Sequence, residues 1–321
     1  MSRFTSTRPS NNSERFSRRR FLRASVEVGA ASFALLPALA ARAQTGAPIT
    51  TTDLAGLKLL QGAGSNVLAL HGDDGALMVD GGLAANADAL LRAVYAATGN
   101  DRVRLLIDTH WHPEQTGANA AVGAAGGMIL AHEKTRQYLS HRVYTMTAER
   151  RLVAVEPLPE KARPTQAVRD EGSLEFGGRK IDYGYMPAAH TDGDLFVHFP
   201  QLNVLAAGGV VSGEKWPLLE YRDGAWLGGR VRAVEWLADL VKPDTRVVPA
   251  QGKLLTGRDI VRQRDIYREL FETMVGYLNK GFGAEDAVRT NPLKRYETEF
   301  GDPSAFLDGA YRSMLIAYVP D

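Results

Sequence analysis

The chain has no cysteine among its 321 residues and no hydrophobic run long enough to cross a membrane. The first absence excludes disulfide bonds, thiolate metal sites and a cysteine nucleophile, so histidine and carboxylate are the only strong ligands left for a transition metal. The apolar stretch near the N-terminus, residues 28–41, has 14 residues. A membrane-spanning helix needs about 20, so this stretch does not predict a membrane span.

The same stretch fits the middle of an export signal. Basic residues 18–20 and 23 precede it, and the small-x-small cleavage pattern Ala41-Arg42-Ala43 follows it. The pattern Ser-Arg-Arg-x-Phe-Leu-Arg at residues 17–23 resembles a twin-arginine signal. We therefore expect residues 1–43 to be a signal, the export machinery to be a transient partner, and the periplasm to be the destination. An uncleaved helix that anchors the protein at the membrane surface is the alternative.

The charge balance gives no support for a nucleic-acid partner. Residues 1–43 contain eight of the 38 basic residues and two of the 37 acidic ones, so residues 44–321 carry a net charge of about −5. With 45% hydrophobic and 23% charged residues, the chain can bury a sizeable core. We find no internal repeat and no long linker in the mature region, which favours one large domain.

Hydrophobic periodicity predicts alternating strands and helices. A hairpin is predicted at residues 66–80, and a helix is predicted from its N-cap Asn86 to Thr98, with Gly99 just past its end. Further strands are expected at residues 103–108, 127–131, 180–186, 195–199, 204–207 and 246–249. Helices are expected at residues 231–241 and along the apolar stripe at 260–278. This alternation predicts an α/β sandwich with its site at strand ends.

Polar residues of metal-binding type follow several predicted strands. His110 and His112 follow one strand, and residues i and i+2 of an extended segment project to the same side, so these two can share one ion. His190 follows another strand, in the sequence His-Thr-Asp-Gly-Asp, and could complete a set of three nitrogens. Two more predicted strands end at Gly208-Gly209 and before Gln251-Gly252.

Residues 50–260 resemble the metallo-β-lactamase superfamily. Its motifs are His-x-His-x-Asp-His, a later lone His often followed by Thr-x-Gly-Asp, an Asp after a strand that ends in Gly, and a His in Pro-Gly-His-Gly. The same order and spacing occur here, and Asp80-Gly81-Gly82 corresponds to an early Asp-x-Gly. The resemblance implies a four-layered αβ/βα sandwich for residues 44–321, with a C-terminal helical extension. It also implies that His110, His112 and His190 are the ligands of the first metal position.

The residues that correspond to the second metal position differ from the family pattern. Glu114 occupies the place of the Asp, Gln115 that of the next His, Gly209 that of the bridging Asp, and Gln251 that of the last His. An amide is a poor zinc ligand, glycine offers none, and glutamate moves its carboxylate by a methylene group. We therefore expect one metal per chain rather than two.

A single site of three histidines is suited to Zn²⁺, which can lower the pKa of a coordinated water to about 7. Glu114 is predicted either to act as the general base or only to hydrogen-bond a group behind the ligands. Supporting or substrate-binding roles are predicted for the remaining four residues: Asp80, Gln115, Asp194 and Gln251. The absence of a second metal favours esters or lactones over lactams and phosphodiesters.

Three functional hypotheses follow. The first is a periplasmic, mononuclear zinc hydrolase that acts on a small ester-like molecule. The second is a degenerate relative that binds metal or ligand without turnover. The third is a mononuclear iron oxygenase, which is disfavoured because the resembling enzymes use the bridging carboxylate that Gly209 lacks.

Overall fold

Short segments rich in buried hydrophobic residues form the strands of the protein. The computed structural model describes residues 48–146 and 151–318. The predicted signal, residues 1–43, lies outside the described residues, so its boundary stays a prediction. The strands within the described part are β1 Thr50–Leu54, β2 Leu57–Gln61, β3 Val67–Leu70, β4 Ala76–Val79, β5 Val103–Ile107, β6 Met128–His132, β7 Val143–Met146, β8 Leu152–Val155, β9 Gln166–Val168, β10 Gly172–Phe176, β11 Arg179–Met186, β12 Asp194–Phe199, β13 Val204–Gly208, β14 Arg246–Pro249 and β15 Leu255–Thr256.

These strands form two mixed sheets and a separate hairpin. In the described residues, the first sheet has the order β1-β2-β3-β4-β5-β6-β9 and the second has the order β10-β11-β12-β13-β14-β15. Strands β4, β5, β6 and β9 run parallel, as do β13 and β14, and the other neighbours run antiparallel. Strands β7 and β8 pair only with each other.

Both faces of the first sheet are buried. Successive side chains of a strand point to opposite faces. Leu68 and Leu70 of β3 therefore point into the core shared with the second sheet, whereas Val67 and Ala69 point to the opposite face. Facing them across the shared core are residues of β11 to β14, including the fully buried Phe199.

Helices cover the outer face of each sheet and complete four layers. The helices in the described residues are α1 Ala87–Thr98, α2 Pro113–Thr116, α3 Asn119–Ala124, α4 Glu133–Tyr138, α5 Leu227–Leu240, α6 Gly257–Asn279, α7 Ala284–Thr290, α8 Glu297–Phe300 and α9 Ser304–Tyr318. Helices α1 and α3 pack on the first sheet, and α5, α6 and α9 pack on the second. No helix of the described part combines the length and hydrophobicity that a bilayer span requires.

The predicted α/β sandwich is confirmed, with few shifts of element boundaries. The hairpin β3–β4, helix α1 with Gly99 in the left-handed conformation at its end, and strand β14 agree with the periodicity. Hydrophobic periodicity did not predict β1, β2, the hairpin β7–β8, β9 or β10, and it did not place the individual helices of the expected C-terminal extension after α6. Several of these segments are exposed, so they lack the buried apolar pattern that periodicity detects.

The ends of β5, β11, β13 and β14 meet at one edge of the sandwich. The backbone N–H of Leu195, in β12 of the second sheet, donates to the carbonyl of Thr109, just after β5 of the first sheet, at 2.7 Å. The N–H of Ala250 donates to the carbonyl of Gly208 at 2.8 Å. These bonds bring together the loops that carry the predicted ligands.

Candidate metal centre

Three histidine rings from two sheets converge at this edge. His110 and His112 follow β5, and His190 lies between β11 and β12. The three residues each offer one ligand nitrogen, and these atoms all lie within 4.8 Å of one another. The ring centroids are 4.8–4.9 Å apart and the rings are nearly perpendicular to one another. All three side chains are buried, so water does not compete strongly for their nitrogens.

A hydrogen-bond chain from Asp80 sets the orientation of His110. Asp80 accepts hydrogen bonds from the backbone N–H of Thr109 at 2.8 Å and from its hydroxyl at 3.0 Å. The Thr109 oxygen lies 3.0 Å from His110 Nδ1 and accepts the proton of that nitrogen, because its own proton is donated to Asp80. Nε2 of His110 is therefore left unprotonated. Burial raises the pKa of Asp80 to about 7, although both hydrogen bonds from Thr109 lower it.

Asp194 and a backbone carbonyl hold His190. Asp194 accepts from the backbone N–H groups of His190 and Thr191 at 2.7 and 2.9 Å, and from the Thr191 hydroxyl at 2.9 Å. His190 Nδ1 lies 2.6 Å from the carbonyl oxygen of Leu218. A carbonyl can only accept, so Nδ1 carries the proton and Nε2 is unprotonated. Burial raises the pKa of Asp194 to about 6.

A buried carboxylate faces His112. Glu220 Oε1 lies 3.2 Å from His112 Nε2, and Glu220 is only 4% exposed. The geometry of this approach does not meet the requirements of a hydrogen bond, so the contact is electrostatic. It favours the proton on Nε2, which leaves Nδ1 unprotonated. His112 Nδ1 in turn lies 3.2 Å from Nε2 of His190.

The donor set fits a metal ion. His112 Nδ1 and His190 Nε2 lie at hydrogen-bond distance, 3.2 Å, with the donor set by the tautomer. When Glu220 draws the His112 proton to Nε2, both of these nitrogens are free to bind a cation. Burial, followed by the neighbouring His112 ring, lowers the pKa of both His110 and His190 well below the usual value. Their rings are therefore neutral at physiological pH, and no proton competes with a metal for the unprotonated nitrogens.

Comparison with known proteins identifies the family. A model described as the metallo-beta-lactamase superfamily matches residues 60–252. The chain belongs to the metallo-β-lactamase superfamily. No curated protein matches the chain. The four-layered αβ/βα sandwich that the resemblance implied is therefore confirmed for this chain.

Three solved structures share this fold at low sequence identity. A metallo-beta-lactamase from Pontibacter korlensis is 20% identical, with a TM-score of 0.51, over 68% of this chain and 93% of its own. The DIM-1 metallo-beta-lactamase is 16% identical, with a TM-score of 0.55, over 70% of this chain and 98% of its own. The stereoselective inverting sec-alkylsulfatase Pisa1 from Pseudomonas sp. is 15% identical, with a TM-score of 0.60, over 80% of this chain and 48% of its own.

Gly209 lies directly against His190, one of the three predicted ligands. A Cβ atom at Gly209 would lie 2.1 Å from Cδ2 of His190 and 2.5 Å from its Nε2. The resemblance places the bridging aspartate of the superfamily at this position, and the present orientation of the His190 ring leaves no room for any side chain there. A carboxylate at residue 209 would therefore require His190 to move.

The other predicted site residues lie at varying distances from the three histidines. Glu114 is half-buried in the first turn of α2, which begins directly after His112, and it is not one of the grouped ligands. Gln115 is buried, and its carbonyl accepts from the N–H of Gly81 at 2.5 Å. Gln251 is exposed, and its amide donates to the carbonyl of Gly64 at 3.2 Å. Asp80 and Asp194 support ligands, as described above.

Two charged residues near the site were missed by sequence reasoning. Glu220 contacts His112, and the fully buried Arg230 of α5 donates to the carbonyls of Gly209, Val210 and Leu218 at 3.3, 2.6 and 3.0 Å. Neither residue lies in a motif of the superfamily pattern. Arg230 lies one residue before the helix predicted at 231–241, because α5 begins earlier, at Leu227, so its burial could not be inferred from that prediction.

Proposed function

We propose that the protein is a periplasmic, metal-dependent hydrolase with one metal per chain, most simply Zn²⁺, that cleaves an ester- or lactone-like small molecule. The observation that carries the proposal is the convergence of three buried imidazoles whose outer nitrogens are each held by a partner. The three ligand atoms are then His110 Nε2, His112 Nδ1 and His190 Nε2. A zinc ion held there supplies Lewis-acid chemistry and makes water a nucleophile at neutral pH.

Support for a single metal comes from the vacated second position. Gly209 has no side chain and no space for one beside His190. The amide of Gln251 is already bonded to the backbone at Gly64. The remaining candidate carboxylate at that position, Glu114, is outside the group of ligand atoms that lie together. One ion on three histidines is therefore the arrangement that these residues favour.

Proton transfer is assigned to Glu114 in this proposal. Glu114 lies two residues after His112 in the first turn of α2, and its side chain is half-buried. It would accept a proton from the attacking water at a carboxylate oxygen and return it to the leaving group. The alternative is that Glu114 only supports a neighbouring group through a hydrogen bond.

The charges around the site support an uncharged substrate. The charged side chain that contacts the histidines is a carboxylate, Glu220. Buried Arg230 places a positive charge near His190 and donates to backbone carbonyls. A site with one metal ion attracts phosphate and sulfate groups less strongly than a site with two, because it carries less positive charge. Carboxylic esters or lactones therefore suit this site better than the sulfate esters in the name of the alkylsulfatase.

Metal content is the measurement that tests the proposal. We expect inductively coupled plasma mass spectrometry of the purified protein to find about one zinc per chain, lost in His190→Ala. Two metals per chain would overturn the single-site proposal. No metal at all would favour a degenerate protein that binds a ligand without turnover, and stoichiometric iron would favour an oxygenase. A panel of aryl esters and lactones then tests hydrolysis by the zinc form.

The periplasmic location is tested separately. Changing both Arg18 and Arg19 to Lys conserves the charge and alters the twin-arginine pattern. We expect the double variant to remain in the cytoplasmic fraction while the parent chain is found in the periplasmic fraction. Equal distribution of the two chains would contradict the proposed export route.

A further inference from the structure

We propose that Glu220 is a positioning residue of the metal centre, which holds the His112 ring with Nδ1 toward the metal and provides negative charge behind a set of neutral ligands. The inference rests on the proposed function, because it assumes that a metal binds the three histidines. Glu220 lies in the segment between β13 and α5, outside every superfamily motif identified in the sequence. It is not a ligand in the group of histidines.

The contact with His112 involves one oxygen that is itself held in place. Glu220 Oε1 lies 3.2 Å from His112 Nε2 and accepts a hydrogen bond from the hydroxyl of Thr145 at 2.7 Å. Thr145 lies in β7, so the hairpin β7–β8 also helps to hold the carboxylate. Because the side chain is 4% exposed, water screens this contact only weakly.

The backbone of Glu220 is anchored to a second ligand. Its N–H donates to the carbonyl of His190 at 3.1 Å, and its own carbonyl accepts from the N–H groups of Asp223 and Ala225 at 2.9 and 3.1 Å. One residue therefore joins His112, which follows a strand of the first sheet, to His190, which follows a strand of the second. A change in the conformation of this segment would move both ligands.

The charge of Glu220 makes its contact different from those of the other two ligands. The outer nitrogens of His110 and His190 are held by uncharged acceptors, the Thr109 hydroxyl and the Leu218 carbonyl. A carboxylate on the outer nitrogen orients a ring and makes its other nitrogen a stronger metal ligand. Loss of such a partner typically weakens metal affinity 10–100-fold. His112 is therefore the ligand whose strength depends most on its partner.

The test measures metal affinity and ligand geometry in Glu220→Gln, which keeps the size and removes the charge. We expect competition with a chelator to show about 10–100-fold weaker binding of Zn²⁺ to the purified full chain. We also expect the visible absorption bands of the Co²⁺-substituted protein to shift, because the position of His112 changes. Thr145→Val removes the hydroxyl that holds the same oxygen, and we expect a smaller loss of affinity in the same direction.

The matched control is Glu214→Gln, the same change six residues earlier in the segment between β13 and α5. The Glu214 side chain is exposed and forms no ion pair or hydrogen bond with a histidine among the contacts of the described residues. We expect Zn²⁺ affinity within about threefold of the parent and an unchanged Co²⁺ spectrum.

Three outcomes would overturn the inference. Unchanged affinity and spectrum in Glu220→Gln would remove the role of Glu220 and leave the proposed function intact. An equal loss in Glu214→Gln would show a general effect of charge rather than positioning. A parent chain that binds no metal would overturn the inference together with the proposed function. If Glu220→Gln does not fold, the Zn²⁺ affinity of Thr145→Val tests the inference by itself. An affinity equal to that of the parent chain would contradict it, because the Thr145 hydroxyl holds the Glu220 carboxylate.

Discussion

The three histidines at the site differ in what holds their outer nitrogens, and that difference determines how each should respond to mutation. His110 depends on a relay through Thr109 to Asp80, His190 depends on a carbonyl, and His112 depends on Glu220. Removal of a ring deletes a ligand outright. Removal of a supporting group leaves the ligand present but less well oriented.

Glu114→Gln distinguishes the two roles proposed for Glu114. If the carboxylate accepts a proton, the variant should keep its zinc and lose about 10²-fold in kcat on ester substrates. Zinc content and single-turnover hydrolysis measure the two effects. Glu133→Gln is the matched control, because Glu133 also lies in the first turn of a short helix that follows a histidine, and it pairs with Arg169 at the surface. Full activity in Glu114→Gln would leave only a supporting role.

Gly209→Ala tests the tight packing of the backbone against His190. The added Cβ would lie 2.1 Å from the ring, so the ring must move, and we expect loss of metal binding. Gly276→Ala on α6 is the control, because a Cβ there meets nothing within 4 Å. Gly209→Asp restores the carboxylate of the superfamily pattern, and we expect it to lose metal as well. Two metals per chain in Gly209→Asp would show that His190 can move aside.

Helix α5 is connected to the site through one buried side chain. Arg230 is fully buried on this helix, and its guanidinium lies over the Tyr267 and Phe306 rings at 5.7 and 5.9 Å. Its hydrogen bonds end on Gly209 and on Leu218, whose carbonyl also binds the His190 ring. Burial lowers the pKa of Arg230, because the charged form is desolvated. Through Arg230, α5 therefore holds the backbone of Gly209 and Leu218, and both of these residues lie against His190.

Arg230→Met should destabilise the protein by at least about 2 kcal/mol, because it leaves buried carbonyls without a donor. Urea denaturation followed by circular dichroism measures the change in the free energy of unfolding. The control is Arg232→Met on the same helix, where the side chain is exposed and lies over the Trp226 ring at 5.2 Å. We expect Arg232→Met to lower the free energy of unfolding by no more than about 1 kcal/mol. Equal effects of the two substitutions would contradict the role of Arg230.

The fold as a whole is held together by the core between the two sheets. Leu and Val side chains of β2 to β5 meet residues of β11 to β14 there, and the site lies at one edge of this core. The ligands come from both sheets, so their spacing depends on how the sheets pack. Loss of packing in the core should therefore affect both stability and metal binding.

Phe199→Ala should destabilise the protein by about 3–5 kcal/mol, since it leaves a cavity in the core between the sheets. Phe199 is 1% exposed and belongs to the cluster formed by both sheets. Phe176→Ala is the control, because Phe176 is half-buried at the border of the same cluster. We expect the midpoint of urea unfolding to fall much further in Phe199→Ala. Similar midpoints would contradict the assignment of Phe199 to the shared core.

Much of the fold and the identities of the three ligands could be predicted from local patterns. His110 and His112 are two residues apart in an extended segment, so their shared direction follows from strand geometry alone. The strands β3, β4, β5 and β14 contain compact runs of apolar residues, which periodicity detects. Exposed strands such as β1 and β8 escaped detection because they present little buried apolar surface.

The sequence by itself determined that histidines are the available metal ligands, that residues 17–23 have a twin-arginine pattern, and that the ordered motifs are those of the superfamily. Each of these depends only on residue type and short spacing along the chain. Only the tertiary structure decided that Glu220 contacts His112, that Arg230 holds the carbonyls around His190, and that Gly209 has no space for a side chain. These contacts join segments that are far apart along the chain. They are set by the stacking of the two sheets and by a loop without hydrophobic periodicity, and no local pattern specifies them.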